Sequence, residues 1–293
     1  MAQNLSQVLR TELAGSTGSV RPLRQSDAFE HGSTLAAVRT AANRPGSSGT
    51  VTEVEVTFLG TGAAVAPHAY NVAMVVDGTL LLDAGAPLSV HLPRAGLSVA
   101  EPRAVILTHF HADHTFGLAS LILARVLLEE PPPPLSIVGP TGTQAYVRQL
   151  VEFAWGPEML QAAIARKQVE VQEVNAGDQV LVDGCAVTAY PMTHTPRFSC
   201  LGYVIAKDGV RLGYSGDAEA SAGLEALLSA CDHAVVEMTY DQPGPMHLSR
   251  PEVASLVERY PRVKFLLTHL GTDGSISGAV GARDFLTVQL PLR

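Results

Sequence analysis

Charged residues make up only 16% of this 293-residue chain, so long solvated acidic or basic tracts are excluded. Lysine and arginine total 20 against 28 aspartate and glutamate, a formal net charge of −8. That balance disfavours a broad nucleic-acid surface, because phosphate contacts need clustered cations. Cysteine is scarce: Cys185, Cys200 and Cys231 show no C-x-x-C spacing. Neither a zinc knuckle nor a disulfide framework is therefore indicated, which fits a reducing compartment. No apolar run reaches membrane-spanning length and the N-terminus lacks an apolar h-region. The expectation is a soluble cytoplasmic protein with no membrane partner. Sequence self-similarity is missing too, and Gly60-Thr61-Gly62 is a lone G-x-G, too little for a phosphate loop. What is present is 46% hydrophobic content, enough for a sizeable core in one large domain or two fused halves.

The chain changes texture near residue 50. Asn4 to Leu13 has Leu5, Val8, Leu9 and Leu13 at helical spacing, and two linker-like stretches follow, Gly15 to Ser19 and Arg44 to Gly49. Residues 1 to 50 read as an extension that packs on the body or on a partner subunit. From Val51 on, Val54, Val56 and Phe58 alternate as in a half-buried strand. Asn71 to Val76 and Thr79 to Leu82 flank the hairpin signal Asp77-Gly78. A helix is expected from Thr115 to Glu129, stopped by Pro131 to Pro134. Leu135 to Val138 reads as a strand, and Gly142 to Phe153 and Pro157 to Arg166 as helices. Strands follow over 169–174, 179–182, 186–190, 201–205 and 210–214. Leu224 to Ala230 is a helix, Ala234 to Val236 a strand, and Ser249-Arg250-Pro251-Glu252 a capping box opening a helix to about Tyr260. Val263 to Leu267 is the last strand this reading finds. The order of elements suggests two sheets face to face with helices outside both.

One stretch concentrates chemistry. After the apolar run Ala104 to Leu107, Thr108-His109-Phe110-His111-Ala112-Asp113-His114 packs three imidazoles and a carboxylate into six residues. Such donors suit zinc and other borderline divalent ions. A strand ending in a tight loop would send His109 and His111 one way and Asp113 and His114 to a neighbouring point, which suits two ions. Asp83, His194, Asp217 and His269 each also follow an apolar strand. Five such strand endings on one chain are not a coincidence.

His-x-His-x-Asp-His after a buried strand resembles the signature of the metallo-β-lactamase superfamily. The resemblance implies a four-layer αββα sandwich over residues 51–293, with the site at one edge of the paired sheets. It also implies two Zn2+, with Mn2+ or Fe2+ as the alternatives: His109, His111 and His194 on one ion, Asp113, His114 and His269 on the other, and Asp217 bridging. Asp83 would support the signature loop by hydrogen bonding. Two divalent ions less Asp113, Asp217 and a bridging hydroxide leave a net positive centre that welcomes an anionic oxygen.

Thr57 to Ala64 with Asn71-Val72, Pro191 to His194, Ser215-Gly216-Asp217, and Glu237 followed by His247-Leu248-Ser249 are similar to ribonuclease Z and its phosphodiesterase relatives. Within that branch Asp113, Glu237 and His247 are the catalytic candidates, His247 as general acid with Glu237 holding its ring. His68 and Asn71 are candidates for touching substrate. A homodimer is implied as well. Ribonuclease Z enzymes carry a long arm that grips tRNA between the strands represented here by Val204 and Leu212; this chain has only Ala206 to Arg211 there. The expected function is hydrolysis of a small anionic ester, foremost a phosphodiester. The alternatives are an aryl sulfate, a lactone or another ester, a tRNA 3′ end, and metal-held binding without turnover.

Overall fold

Two mixed sheets of seven strands lie in the computed structural model, which describes residues 53–291. The extension read over residues 1 to 50 lies outside the described residues. The first sheet holds β1 (Val54–Gly60), β2 (Ala73–Val76), β3 (Leu80–Leu82), β4 (Ala104–Ile106), β5 (Leu135–Pro140), β6 (Val169–Val174) and, at its edge beside β1, β14 (Thr287–Leu290). The second holds β7 (Gln179–Val182), β8 (Cys185–Pro191), β9 (Leu201–Lys207), β10 (Val210–Tyr214), β11 (His233–Glu237), β12 (Lys264–Thr268) and β13 (Ala279–Gly281). Helices α1 (Leu88–Arg94), α2 (Ala112–Val126), α3 (Thr143–Trp155), α4 (Pro157–Ala165), α5 (Ala222–Ala230) and α6 (Arg250–Arg259) flank the sheets.

The period-two side-chain pattern decides which layer each residue joins. Val54, Val56 and Phe58 enter a core shared with Tyr203, Ile205, Leu212, Tyr214, Val235 and Leu266 of the other sheet. The alternate residues Ala234, Val236, Phe265 and Leu267 face outward onto Leu224 and Leu227 of α5 and Val253 and Leu256 of α6. The expected sandwich is the one observed. The Asp77-Gly78 turn forms with both residues at positive φ, 49° and 73°. The capping box at Ser249 closes with Glu252 as read.

Three elements escape the sequence pattern: α1, β13 and β14. β13 and β14 are only 3 and 4 residues long. β14 exists because it pairs antiparallel with β1, Val54 opposite Leu290, a register that no local pattern announces. Helix α2 also begins earlier than expected, at Ala112 rather than Thr115. Asp113 and His114 thus sit in its first turn, where a carboxylate favours the positive end of the helix dipole.

The connector over Pro131 to Pro134 is held by an unusual buried cation. The Arg125 guanidinium donates to the carbonyls of Val99 (3.0 Å), Pro102 (2.9 Å) and Pro133 (2.5 Å), and burial lowers its pKa to about 10. It ties the proline run to the segment that leads into β4, the strand that ends in the signature.

Candidate metal centre

Strands β3 and β4 run parallel, as do β10, β11 and β12, so their C-terminal ends share one edge of the sandwich. Asp83, the signature, Asp217 and His269 follow such ends, and His194 follows β8, which runs in the direction of β10 because both are antiparallel to β9. Asp83 and His269 leave their strands through left-handed backbone, φ 54° and 50°, which breaks the alternation and turns the side chain into the edge. Two glycines let loops approach there. A Cβ on Gly216 would meet Thr108 at 2.7 Å, and one on Gly85 would meet the Asp113 carbonyl at 1.6 Å.

The structure brings all seven expected ligands into two adjoining groups. His109, His111, His194 and Asp217 form one, and Asp113, His114, Asp217 and His269 the other, with donor atoms within 4.8 Å of one another in each. Asp217 belongs to both. Its Oδ2 lies 3.6 Å from Nε2 of His109 and of His194, while its Oδ1 lies 3.1 Å from His114 Nε2 and 3.4 Å from His269 Nε2. One carboxylate oxygen faces each group. Asp113 Oδ2 completes the second, 3.1 Å from His269 Nε2 and 3.6 Å from His114 Nε2.

Outer hydrogen bonds fix which imidazole nitrogen faces inward. His194 Nδ1 donates to the Met246 carbonyl at 2.7 Å, and His114 Nδ1 to Asp83 Oδ2 at 2.7 Å. Thr108 Oγ1 gives its proton to Asp83 and so accepts from His109 Nδ1 at 2.9 Å. Thr239 Oγ1 gives its proton to Glu237 and accepts from His269 Nδ1 at 2.8 Å. In the neutral form of each of these four rings the lone pair is then on the inward Nε2. His111 instead presents Nδ1, 3.0 Å from both His109 Nε2 and His194 Nε2. Three nitrogens converging so closely resemble donors around one tetrahedral ion, whose 2.0–2.1 Å bonds set ligands about 3.3 Å apart.

Charge inside the cluster tells the same story. Burial, then the neighbouring His114, holds the His109 pKa well below its ordinary value. Burial also lowers His111 and His194. His114 is raised well above the usual range, because Asp217 and Asp83 outweigh the opposing effect of burial. Asp217 is correspondingly held well down by His114 and His269 against its own burial. Positive charge is thus favoured among these buried groups, and a divalent cation would satisfy more of them. His114 Nε2 and Asp217 Oδ1 are buried and, among the described residues, have no aligned hydrogen-bond partner, although they lie 3.1 Å apart. The residues present fit a pair of divalent ions with nitrogen and oxygen donors.

Asp83 is the support the sequence predicts. It is fully buried and accepts from Thr108 N (2.8 Å), Thr108 Oγ1 (2.9 Å), His114 Nδ1 and Tyr214 OH (2.6 Å). Asp83→Ala strands these donors, and the expected cost is about 3–5 kcal/mol of stability with roughly 10- to 100-fold weaker metal binding. Denaturant titration with and without chelator measures both; an unchanged metal affinity contradicts the supporting role.

Beside the two groups stands a third pair. His247 Nδ1 is 2.9 Å from Glu237 Oε1 and 3.8 Å from Asp217 Oδ2. Glu237 is fully buried and also accepts from Ala218 N at 2.9 Å and Thr239 Oγ1 at 2.7 Å. Burial opposes a charge on His247, but Glu237 more than offsets it, and the imidazole pKa is raised. Asn71 spends its amide on the Ala63 carbonyl at 3.1 Å, stapling the loop on which His68 stands exposed. Thr108, Tyr214, Thr239 and the Met246 carbonyl are the supports that sequence reasoning missed. Thr108 opens the histidine-rich stretch and Thr239 lies two residues after Glu237, so their closeness to site residues in the sequence is the available signal.

The chain matches the family model described as the beta-lactamase superfamily domain over residues 79–270. A ribonuclease Z of Mycobacterium sp. (strain KMS) is 29% identical over 242 residues, covering 74% of this chain and 84% of that protein. Among solved structures, a diphosphatase from the PhnP family superposes with a TM-score of 0.64 at 18% identity, covering 82% of this chain and 98% of that one. Human tRNase Z, short form, gives 0.63 at 22% identity, covering 81% and 100%. The matched domain agrees with the architecture above: the chain belongs to the metallo-β-lactamase superfamily, is similar to ribonuclease Z and phosphodiesterase proteins of that fold, and is a metal-dependent hydrolase.

Proposed function

We propose that the protein hydrolyses a small phosphodiester at a centre of two zinc ions. The observation that carries this reading is Asp217, whose two carboxylate oxygens face two separate sets of imidazoles. His109, His111 and His194 would hold one ion, and Asp113, His114 and His269 the other. When bound, the ions supply Lewis acidity and lower the pKa of water to about 7 in favourable cases. The chain's own part is positioning and proton transfer. Glu237 binds Nδ1 of His247, which favours the protonated ring and leaves Nε2 to give a proton to the departing ester oxygen. The net positive centre selects an anionic substrate.

A tRNA 3′ end is the second reading, favoured by the 29% identical ribonuclease Z. Against it stands the β9–β10 hairpin, where Lys207 pairs directly with Val210 and Asp208-Gly209 is the whole connection. No arm extends from that position. The cation of Arg250 is likewise engaged by Asp241 and Asp273. Purified protein loaded with zinc is expected to hydrolyse nitrophenyl phosphodiesters faster than the corresponding monoester, sulfate or carboxylic ester. Faster turnover of the sulfate or carboxylic ester contradicts the phosphodiester reading, and specific cleavage of precursor tRNA establishes the second.

A further inference from the structure

Aromatic residues are only 5% of the chain, yet three of them form a run of ring contacts that ends on His111 and His109. The Phe198 ring lies 5.1 Å from the His111 imidazole, nearly perpendicular to it, and 5.9 Å from His109. Phe110 is 5.5 Å from Phe198 and stacks on Tyr146 at 4.7 Å with the planes 15° apart. All three rings are half-buried. The Tyr146 hydroxyl is bound to Thr115 Oγ1 at 2.6 Å, so its polar atom is spent and its ring face is left as apolar surface.

Phe198 is also held in place. The connector that carries it is pinned by Met192 N donating to the Cys200 carbonyl at 2.9 Å. Leu201 N donates to the carbonyl of Thr108 at 3.0 Å, next to the ligand His109. A row of ring contacts then runs from Phe198 to His111, to His194 at 4.9 Å, and on to His247 at 4.8 Å. The aromatic cluster and His247 stand at opposite ends of that row. Phe198 and His247 thus border the same group of donors through different imidazoles, His111 and His194.

We propose that Phe198, backed by Phe110 and Tyr146, is a stacking subsite for a planar ring on the ester arm that stays on phosphorus. The substrate class is then a phosphodiester bearing an aryl group or a nucleobase, which rests on the phosphodiester reading above. A π-face is what both rings share, and stacking on an aromatic side chain tolerates either.

Three substrates with one leaving group test this: methyl, phenyl and thymidine 5′ esters of p-nitrophenyl phosphate. Phe198→Ala is expected to lower kcat/KM about fivefold to a hundredfold on the ring-bearing esters. The methyl ester should stay within about twofold. Loss on the phenyl ester alone assigns an aryl arm, and loss on the thymidine ester assigns a base reached through its sugar. Phe198→Leu keeps apolar bulk in the connector and should show the same selective loss, while Phe198→Tyr should restore the wild-type ratio. Equal losses on all three esters, or none on any, overturn the subsite.

Binding supplies a readout without turnover. By calorimetry, zinc-loaded wild-type protein is expected to bind phenylphosphonate at least about fivefold more tightly than methylphosphonate, and Phe198→Leu to lose that preference. Equal binding of the two phosphonates by the wild type overturns the subsite. Intact discrimination with no hydrolysis of any phosphodiester sinks the phosphodiester reading and keeps the subsite.

Discussion

Asp217→Ala is expected to empty both halves of the metal centre and abolish turnover. The carboxylate is the one group shared by the two sets of donors, with Oδ2 toward His109 and His194 and Oδ1 toward His114 and His269. Loss of a merely supporting group costs metal affinity by roughly 10- to 100-fold; loss of the shared ligand should exceed that at both positions. The metal-free protein should also suffer. Asp217 and His114 form a buried pair, and removing one partner of such a pair costs about 3–5 kcal/mol. The variant is therefore expected to unfold earlier even in chelator, and to gain little from added zinc. Wild-type protein should gain, because an ion that binds only the folded state stabilises it by linkage. Elemental analysis that finds one full equivalent retained in the variant contradicts the shared role and makes Asp217 a ligand of one ion only.

His247→Ala is expected to separate metal binding from turnover. His247 lies outside both donor groups that contain Asp217 and is gripped through Nδ1 by the buried Glu237. That grip raises its pKa against the effect of burial, as a proton donor requires. General acid help is typically worth about 10² to 10⁴ in rate. The variant should keep its zinc, lose by about that factor on an alkyl phosphodiester, and lose much less on a nitrophenyl ester whose leaving group departs unaided. Glu237→Gln should show the same leaving-group dependence, since it weakens the grip on the same ring. Equal losses of His247→Ala on both substrates assign His247 to binding the phosphoryl oxygens. Full activity on both removes it from the reaction.

The seven candidate ligands were legible because each is a chemically distinctive residue in a segment that follows an apolar strand, and strand ends are where a sandwich exposes an edge. The signature is local, so one stretch of sequence shows half the site at once. Its backbone was less legible. Asp113 and His114 lie in the first turn of α2 rather than in a loop, since three residues of helix carry no periodicity of their own. The place of Asp217 between the two donor groups depends on where β10, β4 and β12 end relative to one another, which is a property of the sheets. The supports Tyr214 and Thr239 were hidden for the same reason. Tyr214 is one more core residue on β10 until its hydroxyl is seen 2.6 Å from Asp83, 131 positions away. β14 is likewise defined by its partner β1 rather than by its own four side chains.

The central claim is a pair of ions sharing Asp217, and anomalous diffraction from crystals of the zinc-loaded protein tests it most directly. The expected map, recorded above the zinc absorption edge, has two peaks per chain. One lies among His109, His111 and His194, the other among Asp113, His114 and His269, and the Asp217 carboxylate lies between them. A single peak at full zinc loading, or two peaks of which only one touches Asp217, contradicts the account.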